Sequence, residues 1–365
     1  MTKGKPSILI VCNTPFQIMM AYHIVRLYYA HYDIDIIISS GIRDGERLAK
    51  NAQQTNAFRS IIFTRNKKTF LLGHSITHKI TYAILRTYEI INNFLLAKKI
   101  ARTHYDVCLF SNISIFTKLL TSLLRKHNPH TTLAIYEEGI STYTTLFTSG
   151  DAPNSLYRKY IDKQGLLAKI DLLYVCHPSL LEWAPLNGKI IHTPTIKKDD
   201  QQYIELLNTI FNYTSCKDTY EKPIIFFEES HSFEGFDVPD IDIVNRIAEK
   251  MGKENIIVKI HPRNPENRFA KLGYKTNTDI SIPWEVIMLN QSFENKIFVT
   301  ISSGAVISPF LYLGIPCVTY SLLNCLNQLP GHMNSTLGAT MRKVYQLNTN
   351  IFRTPSTIEE FISEL

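Results

Sequence analysis

Short, β-branched apolar runs alternate with helix-patterned stretches twice along this chain, and that double alternation limits its fold more than any other feature. Ser7–Cys12 is continuous and apolar, as a strand buried on both faces must be, and Asn13-Thr14-Pro15 breaks it. Helical spacing follows over Phe16–Tyr29, with Thr14 placed to cap it, Pro15 at its first position and Gln17 three residues beyond the cap. The same patterning predicts strands at Asp35–Ser39, Ser60–Phe63, Val107–Phe110, Thr132–Tyr136, Asp171–Cys176 and Lys189–His192. Helices are expected at Ile115–Arg125 and over Phe70–Arg102, the latter broken in its middle. Strands and helices alternating through short connections build a parallel, doubly wound sheet.

A polar helix over Asp200–Tyr213 separates this series from a second one, which begins at Pro223–Phe227. It continues through a helix at Ile241–Met251, a strand at Ile256–Ile260 and a helix opened by Pro283-Trp284-Glu285. A strand at Ile297–Ile301, a helix from Gly304 and a strand at Pro316–Tyr320 follow. Ser356 and Glu359 read as the capping box of a last helix ending at Leu365. The chain therefore divides into two α/β, Rossmann-like domains at residues 1–200 and 221–365. Two such domains in series are expected to face a central cleft and to bind ligand at the carboxyl ends of their strands. That is the GT-B arrangement of nucleotide-sugar transferases. Some epimerases and periplasmic binding proteins share its outline, so the layout alone does not assign a function.

Charge and cysteine usage narrow the classes. The net charge is +7, with no run of cations long enough for a nucleic-acid arm. A modest spread-out excess fits an anionic small substrate or a weak attraction to anionic lipid. The six cysteines form no C-x-x-C pair, and Cys12, Cys108, Cys176 and Cys317 fall in apolar strand-like runs, as buried thiols of a reducing compartment do. Met1–Ser7 is polar and no unbroken apolar run is long enough to span a bilayer, so a cytoplasmic protein is expected.

Chemistry-bearing residues gather at predicted strand ends. Glu137-Glu138-Gly139 follows Thr132–Tyr136; side chains alternate along an extended chain, so one of the two carboxylates can face a ligand and act on its hydroxyl proton. A solvated acidic turn explains the pair equally well when it is taken alone. Phe227-Glu228-Glu229-Ser230 offers a second acidic pair, with His231 and Gly235 beyond it read as a mobile loop. His261-Pro262-Arg263 follows Ile256–Ile260, where Pro262 biases His261 towards an extended backbone and Arg263 or Lys259 could add positive charge. His177-Pro178 repeats the dipeptide, and there a structural role is the better reading. Ser302-Ser303-Gly304 opens a helix and could bind phosphate, or simply cap it. Asn13, Thr14 and Gln17 form the first strand-to-helix turn, which lacks the glycines of a dinucleotide loop. No metal-ligand spacing is present; Asp240 and Asp242 are too thin a pair.

In order, the turn Asn13–Gln17, the triplet Glu137-Glu138-Gly139, the pair His261-Pro262 and the pair Ser302-Ser303 resemble the motifs of the bacterial sialyltransferases. The first turn together with Ile282-Pro283-Trp284-Glu285 looks most like glycosyltransferase family 52, the lipooligosaccharide and capsular sialyltransferases. Tyr136–Tyr143 also resembles the polysialyltransferases of family 38. The likeness runs from Ile8 to about Tyr320. It implies inverting, metal-independent transfer from CMP-sialic acid to a galactose-terminated glycan, with no cofactor besides that donor. By resemblance Glu137 or Glu138 is the general base, His261 stabilises the departing CMP phosphate, and Ser302 and Ser303 contact it. In family 52 the base lies just after the first strand of the second domain, which here is Glu228 or Glu229, so both sites stay open. The resemblance also hints at a homodimer, and the charge at a peripheral contact with the cytoplasmic face of the inner membrane. The rivals are a polysialyltransferase, which would need an extended basic groove, and a non-catalytic carbohydrate-binding protein, which would normally be secreted.

Overall fold

All six residues of Ser7–Cys12 (β1) are buried, as an interior strand of a parallel sheet requires. The computed structural model describes residues 4–42, 44–64, 76–151, 164–214, 220–231, 236–264, 266–277, 281–326 and 336–365. They form two units: Met1–Glu138, Thr145–Thr193 and Glu205–Asn212 in unit 1, and Gly139–Thr144, Pro194–Ile204 and Tyr213–Leu365 in unit 2.

Unit 1 is a seven-stranded sheet in the order β3-β2-β1-β4-β5-β6-β7. Its further strands are β2 (Asp33–Ser39), β3 (Ser60–Thr64), β4 (Val107–Phe110), β5 (Thr132–Tyr136), β6 (Leu172–Val175) and β7 (Lys189–His192), and every pairing is parallel. Strand order reverses between β1 and β4, so the ends of these two strands open the ligand crevice of a doubly wound sheet. Helix α1 (Pro15–Tyr28) starts as expected: the Thr14 hydroxyl accepts the Gln17 N–H at 3.2 Å. Helices α2 (Gly45–Gln54), α3 (Ile76–Ile100) and α4 (Ile115–His127) follow. The expected break in α3 is absent within Ile76–Ile100, where neither Pro nor Gly interrupts the helix; residues 70–75 of that expectation lie outside the described residues.

Unit 2 is a six-stranded parallel sheet in the order β10-β9-β8-β11-β12-β13. Its strands are β8 (Ile224–Phe227), β9 (Ile256–Lys259), β10 (Lys275–Asn277), β11 (Ile297–Thr300), β12 (Val318–Ser321) and β13 (Phe352–Arg353). Here the reversal falls between β8 and β11. The helices are α5 (Gln201–Phe211), whose first residues belong to unit 2 and last to unit 1, α6 (Asp240–Met251) and α7 (Trp284–Asn290), then α8 (Ser308–Leu313), α9 (Thr336–Leu347) and α10 (Ile358–Glu364). Trp284 anchors the core, with Phe227, Phe293 and Tyr220 packed edge-on or tilted about 5 Å away; aromatic contacts of this kind each add about 1 kcal/mol beyond the area they bury.

Two local readings shift. Gly304–Val306 is a 3-10 turn, and the helix proper starts at Ser308. The last capping box sits one residue on: Thr357 accepts the Glu360 N–H at 3.1 Å, and the Ser356 N–H donates to the Glu360 carboxylate at 2.7 Å. Cys12, Cys108, Cys176 and Cys317 are buried, and burial pushes the thiols of Cys12, Cys108 and Cys317 up to about 12; Cys216 lies outside the described residues. Among the described residues no helix is long and apolar enough to cross a membrane.

Candidate active site

Parallel register brings the ends of β9, β8 and β11 side by side in unit 2, with Lys259, Phe227 and Thr300 as neighbours across the sheet. The residues that follow these three carry the predicted chemistry. Glu228 continues β8, its N–H donating to the Lys259 carbonyl at 3.0 Å. Its carboxylate is buried, and Oε2 accepts the His261 backbone N–H at 3.0 Å. Oε1 takes Arg268 at 3.0 Å, whose guanidinium also grips Asp240 at 2.5 Å. Glu228 thus fixes the backbone that carries His261.

The His261 ring is oriented from a second side. Its Nδ1 accepts the Arg263 N–H at 3.2 Å, which leaves the proton of the neutral ring on Nε2. An imidazole in that tautomer can donate to an oxyanion. Pro262 and Arg263 are exposed, and the turn closes with Asn264, whose side-chain amide donates to the Glu229 carbonyl at 2.9 Å.

Glu229 is engaged quite differently. The Thr300 hydroxyl donates to its Oε1 at 2.8 Å, the Ser302 N–H donates to the same oxygen, and the Ser302 hydroxyl reaches Oε2 at 2.5 Å. His231 Nε2 also pairs with Oε2. Burial pushes the Glu229 carboxyl up, but His231 and Ser302 outweigh it and the net shift is downward. His231 is 5% exposed and paired with Glu229, which corrects its place in the expected mobile loop; Gly235 lies outside the described residues. Ser302 is turned inward onto Glu229, whereas Ser303 is the cap of the 3-10 turn, its hydroxyl accepting the Ala305 N–H at 3.3 Å, and Gly304 is exposed. Lys259 ends β9, with β8 between it and β11. Its ammonium lies 5.8 Å from the Trp284 ring centre, and burial lowers its pKa against the opposing pull of Glu285.

In unit 1 the acidic pair repeats the backbone pattern. The Glu137 N–H donates to the Tyr174 carbonyl at 3.1 Å, and its buried carboxylate accepts the Cys176 N–H at 2.8 Å. Glu138 is half-buried, and its Oε2 accepts Gln17 Nε2 at 2.9 Å. Gln17, itself 1% exposed, turns its other end to the Asn13 N–H at 2.6 Å, tying the first strand-to-helix turn to the end of β5. Gly139 then takes φ 131°, a conformation open to glycine, and nothing lies within 4 Å of where a Cβ would sit. Asn13 also lines a cavity of about 80 Å³ with Ser39, Thr64, Asn93 and Ser114 beside the reversal point of the sheet, and its buried Nδ2 makes no hydrogen bond among the described residues.

The structure therefore joins Asn13, Gln17 and Glu138 in unit 1, and Glu228 with His261 and Glu229 with Ser302 in unit 2. Reasoning from residue type missed Arg268, Asn264, Thr300 and the partnership of His231 with Glu229. Among the described residues no group of three His, Cys, Asp or Glu side chains is placed to hold a metal ion.

The family model described as alpha-2,8-polysialyltransferase matches residues 8–322. No curated protein matches the chain by sequence. Among solved structures it is similar to a putative UDP-N-acetylglucosamine 2-epimerase from Listeria monocytogenes, with 14% identity and a TM-score of 0.56 over 99% of this chain and 87% of that one. The UDP-GlcNAc 2-epimerase of Methanocaldococcus jannaschii is similar at 13% identity and a TM-score of 0.52, over 99% of this chain and 92% of that one. That of Neisseria meningitidis, bound to UDP-GlcNAc, is similar at 14% identity and a TM-score of 0.51, over 98% and 90%. At such identities these structures speak for the GT-B fold, two parallel-sheet Rossmann-like domains, and for nothing finer.

Proposed function

The chain belongs to the alpha-2,8-polysialyltransferase family, and from that premise we propose that it moves sialic acid from CMP-sialic acid to a galactose-terminated glycan, with inversion and without a metal ion. The observation that carries this reading is His261, clamped through its backbone by Glu228 and through Nδ1 by the Arg263 N–H. A ring held with its proton on Nε2 suits donation to the phosphate oxygen of a departing CMP. Ser303, half-buried, and Gly304, exposed, just beyond β11, are the phosphate contacts in this proposal, and Ser302 acts from behind through Glu229.

Among the four glutamates the geometry favours Glu138 as base. Glu137 and Glu228 are buried and hold backbone N–H groups. The Glu229 side chain is 9% exposed and surrounded by donors. Glu138 is half-buried, and Gln17 orients it. In the reaction its carboxylate takes the proton of the acceptor hydroxyl while that oxygen bonds to the anomeric carbon and the bond to the CMP phosphate breaks. Unit 2 binds the nucleotide and unit 1 the acceptor, where the unpartnered Asn13 amide offers a donor to a sugar hydroxyl.

The family description favours a second reading, extension of a sialic acid polymer. Incubation with CMP-sialic acid and either lactose or oligosialic acid, following CMP release and product mass, tests both. A singly sialylated lactose supports the first reading, and elongation of oligosialic acid alone supports the second. Release of CMP with neither acceptor and no transfer product rejects both. Activity is expected to survive a chelator; loss in EDTA restored by manganese would replace this mechanism with a metal-dependent one.

A further inference from the structure

Helix α3 turns a row of large apolar side chains away from the core. Asn93, Ala97 and Ile100 are buried and mark its inward face. On the opposite side Ile80, Ile84, Tyr88, Ile91 and Leu95 are between 51% and 65% exposed, at spacings of four, four, three and four residues. The row is roughly 22 Å long at 1.5 Å per residue. Water-facing helices carry charge at such positions, and a contiguous apolar stripe on the surface marks a place where something docks.

Charge identifies the occupant. Beyond Leu95 the same face continues with Lys98 and Arg102, with Lys99 beside them, and all three are exposed. The one acid of the helix, Glu89, faces inward: its side chain is 11% exposed and paired with Arg86 at 2.7 Å. The outward surface is therefore an apolar stripe ending in three cations without an exposed carboxylate. The cations alone could be explained by the helix dipole, which favours positive charge at a carboxyl end; the apolar stripe cannot. A second copy of the chain fits poorly, because a parallel pairing of stripes brings cations onto cations and an antiparallel one lays cations over apolar side chains.

We propose that the outward face of α3 docks on an anionic lipid surface, its isoleucines entering the headgroup–acyl boundary and Lys98, Lys99 and Arg102 meeting the phosphates. Such a helix lies in the plane of the interface and does not cross it. This inference does not depend on which glycan the protein modifies.

The test is co-sedimentation of the full chain with vesicles of equal parts phosphatidylglycerol and phosphatidylcholine, and with phosphatidylcholine alone. Binding to the mixed vesicles, weakened by salt, and little to phosphatidylcholine is expected. Ile84→Ser with Ile91→Ser should abolish binding, while Lys98→Gln with Lys99→Gln should weaken it roughly twenty-five-fold, each basic residue contributing about five-fold. Circular dichroism and thermal unfolding of both variants should match the parent, since the altered side chains touch solvent. The proposal is overturned if the parent ignores the mixed vesicles or if the isoleucine variant binds as the parent does. It is equally overturned if the parent is a dimer that the isoleucine variant dissolves, which would make a second copy the occupant.

Discussion

The acidic turn after β5 and the acidic turn after β8 begin alike and end differently. In each, the first glutamate extends its strand, donates its N–H to the neighbouring strand, and buries a carboxylate that accepts a backbone N–H just beyond that neighbour: Cys176 for Glu137, His261 for Glu228. Alternation along an extended chain sends the second glutamate to the other side. There the resemblance stops. Glu138 accepts an oriented amide, from Gln17, and is half-buried, whereas Glu229 is wrapped by Thr300, Ser302 and His231. Two identical dipeptides thus supply two clips and two unlike carboxylates, and their surroundings decide which can do chemistry.

The sharpest way to break this contrast is to exchange the second glutamates for amides. Glu138→Gln should lower kcat by about two to four powers of ten while leaving CMP binding intact, because a base acts only in the transition state. Calorimetric titration with CMP beside steady-state kinetics reads both. If Glu229→Gln shows that split and Glu138→Gln turns over normally, the roles are reversed. Next comes His261→Ala, expected to cost turnover one to two powers of ten with an unchanged unfolding midpoint; near-normal turnover would remove His261 from the mechanism.

The two clips should separate by stability. Glu137→Gln keeps a carbonyl for the Cys176 N–H and should cost about 1 kcal/mol, whereas Glu228→Gln takes the charge from Arg268 and should cost about 2 kcal/mol. Urea unfolding measures both, and equal costs would mean that Arg268 leans on Asp240 alone. The last prediction concerns Glu229 and is read in acid. Its carboxyl titrates below its usual value, so its stabilising contribution is complete above the ordinary carboxylate range and disappears as pH falls through the lowered value. Glu229→Gln should flatten the acid limb of the stability profile, and an unchanged limb would show that other carboxylates set it.

Much of the frame was legible before the structure. Ser7–Cys12, Val107–Phe110, Thr132–Tyr136 and Lys189–His192 match their strands residue for residue, mostly because interior parallel strands have little freedom of composition. Helix α2 escaped because it is largely polar, with only Gly45, Leu48, Ala49 and Ala52 buried. Strands β10 and β13, of three and two residues, are too short for any period to register. At the site, strand-end carboxylates and the His-Pro turn were visible as types, yet their assignment was not. Which glutamate is a clip depends on a backbone N–H one strand away, and the link between Glu229 and Ser302 joins residues 73 positions apart. Gln17 did carry a signal, the one polar side chain in a first turn, Pro15–Ile18, that is otherwise apolar.

Gly139 has a consequence that concerns handedness. Its φ of 131° and ψ of −168° mirror the extended region of an ordinary L-residue, and no atom stands within 4 Å of a Cβ built there. An L-alanine at this position would be refused by its own backbone, with room to spare around it. A D-alanine would escape that backbone penalty, since its allowed territory is the mirror image of the L-residue's. The turn behind the acidic pair therefore discriminates by chirality and leaves volume unrestricted. Natural mutation, confined to L-residues, has no substitute for glycine there, whereas semisynthesis can offer a D-residue whose backbone prefers this φ and ψ.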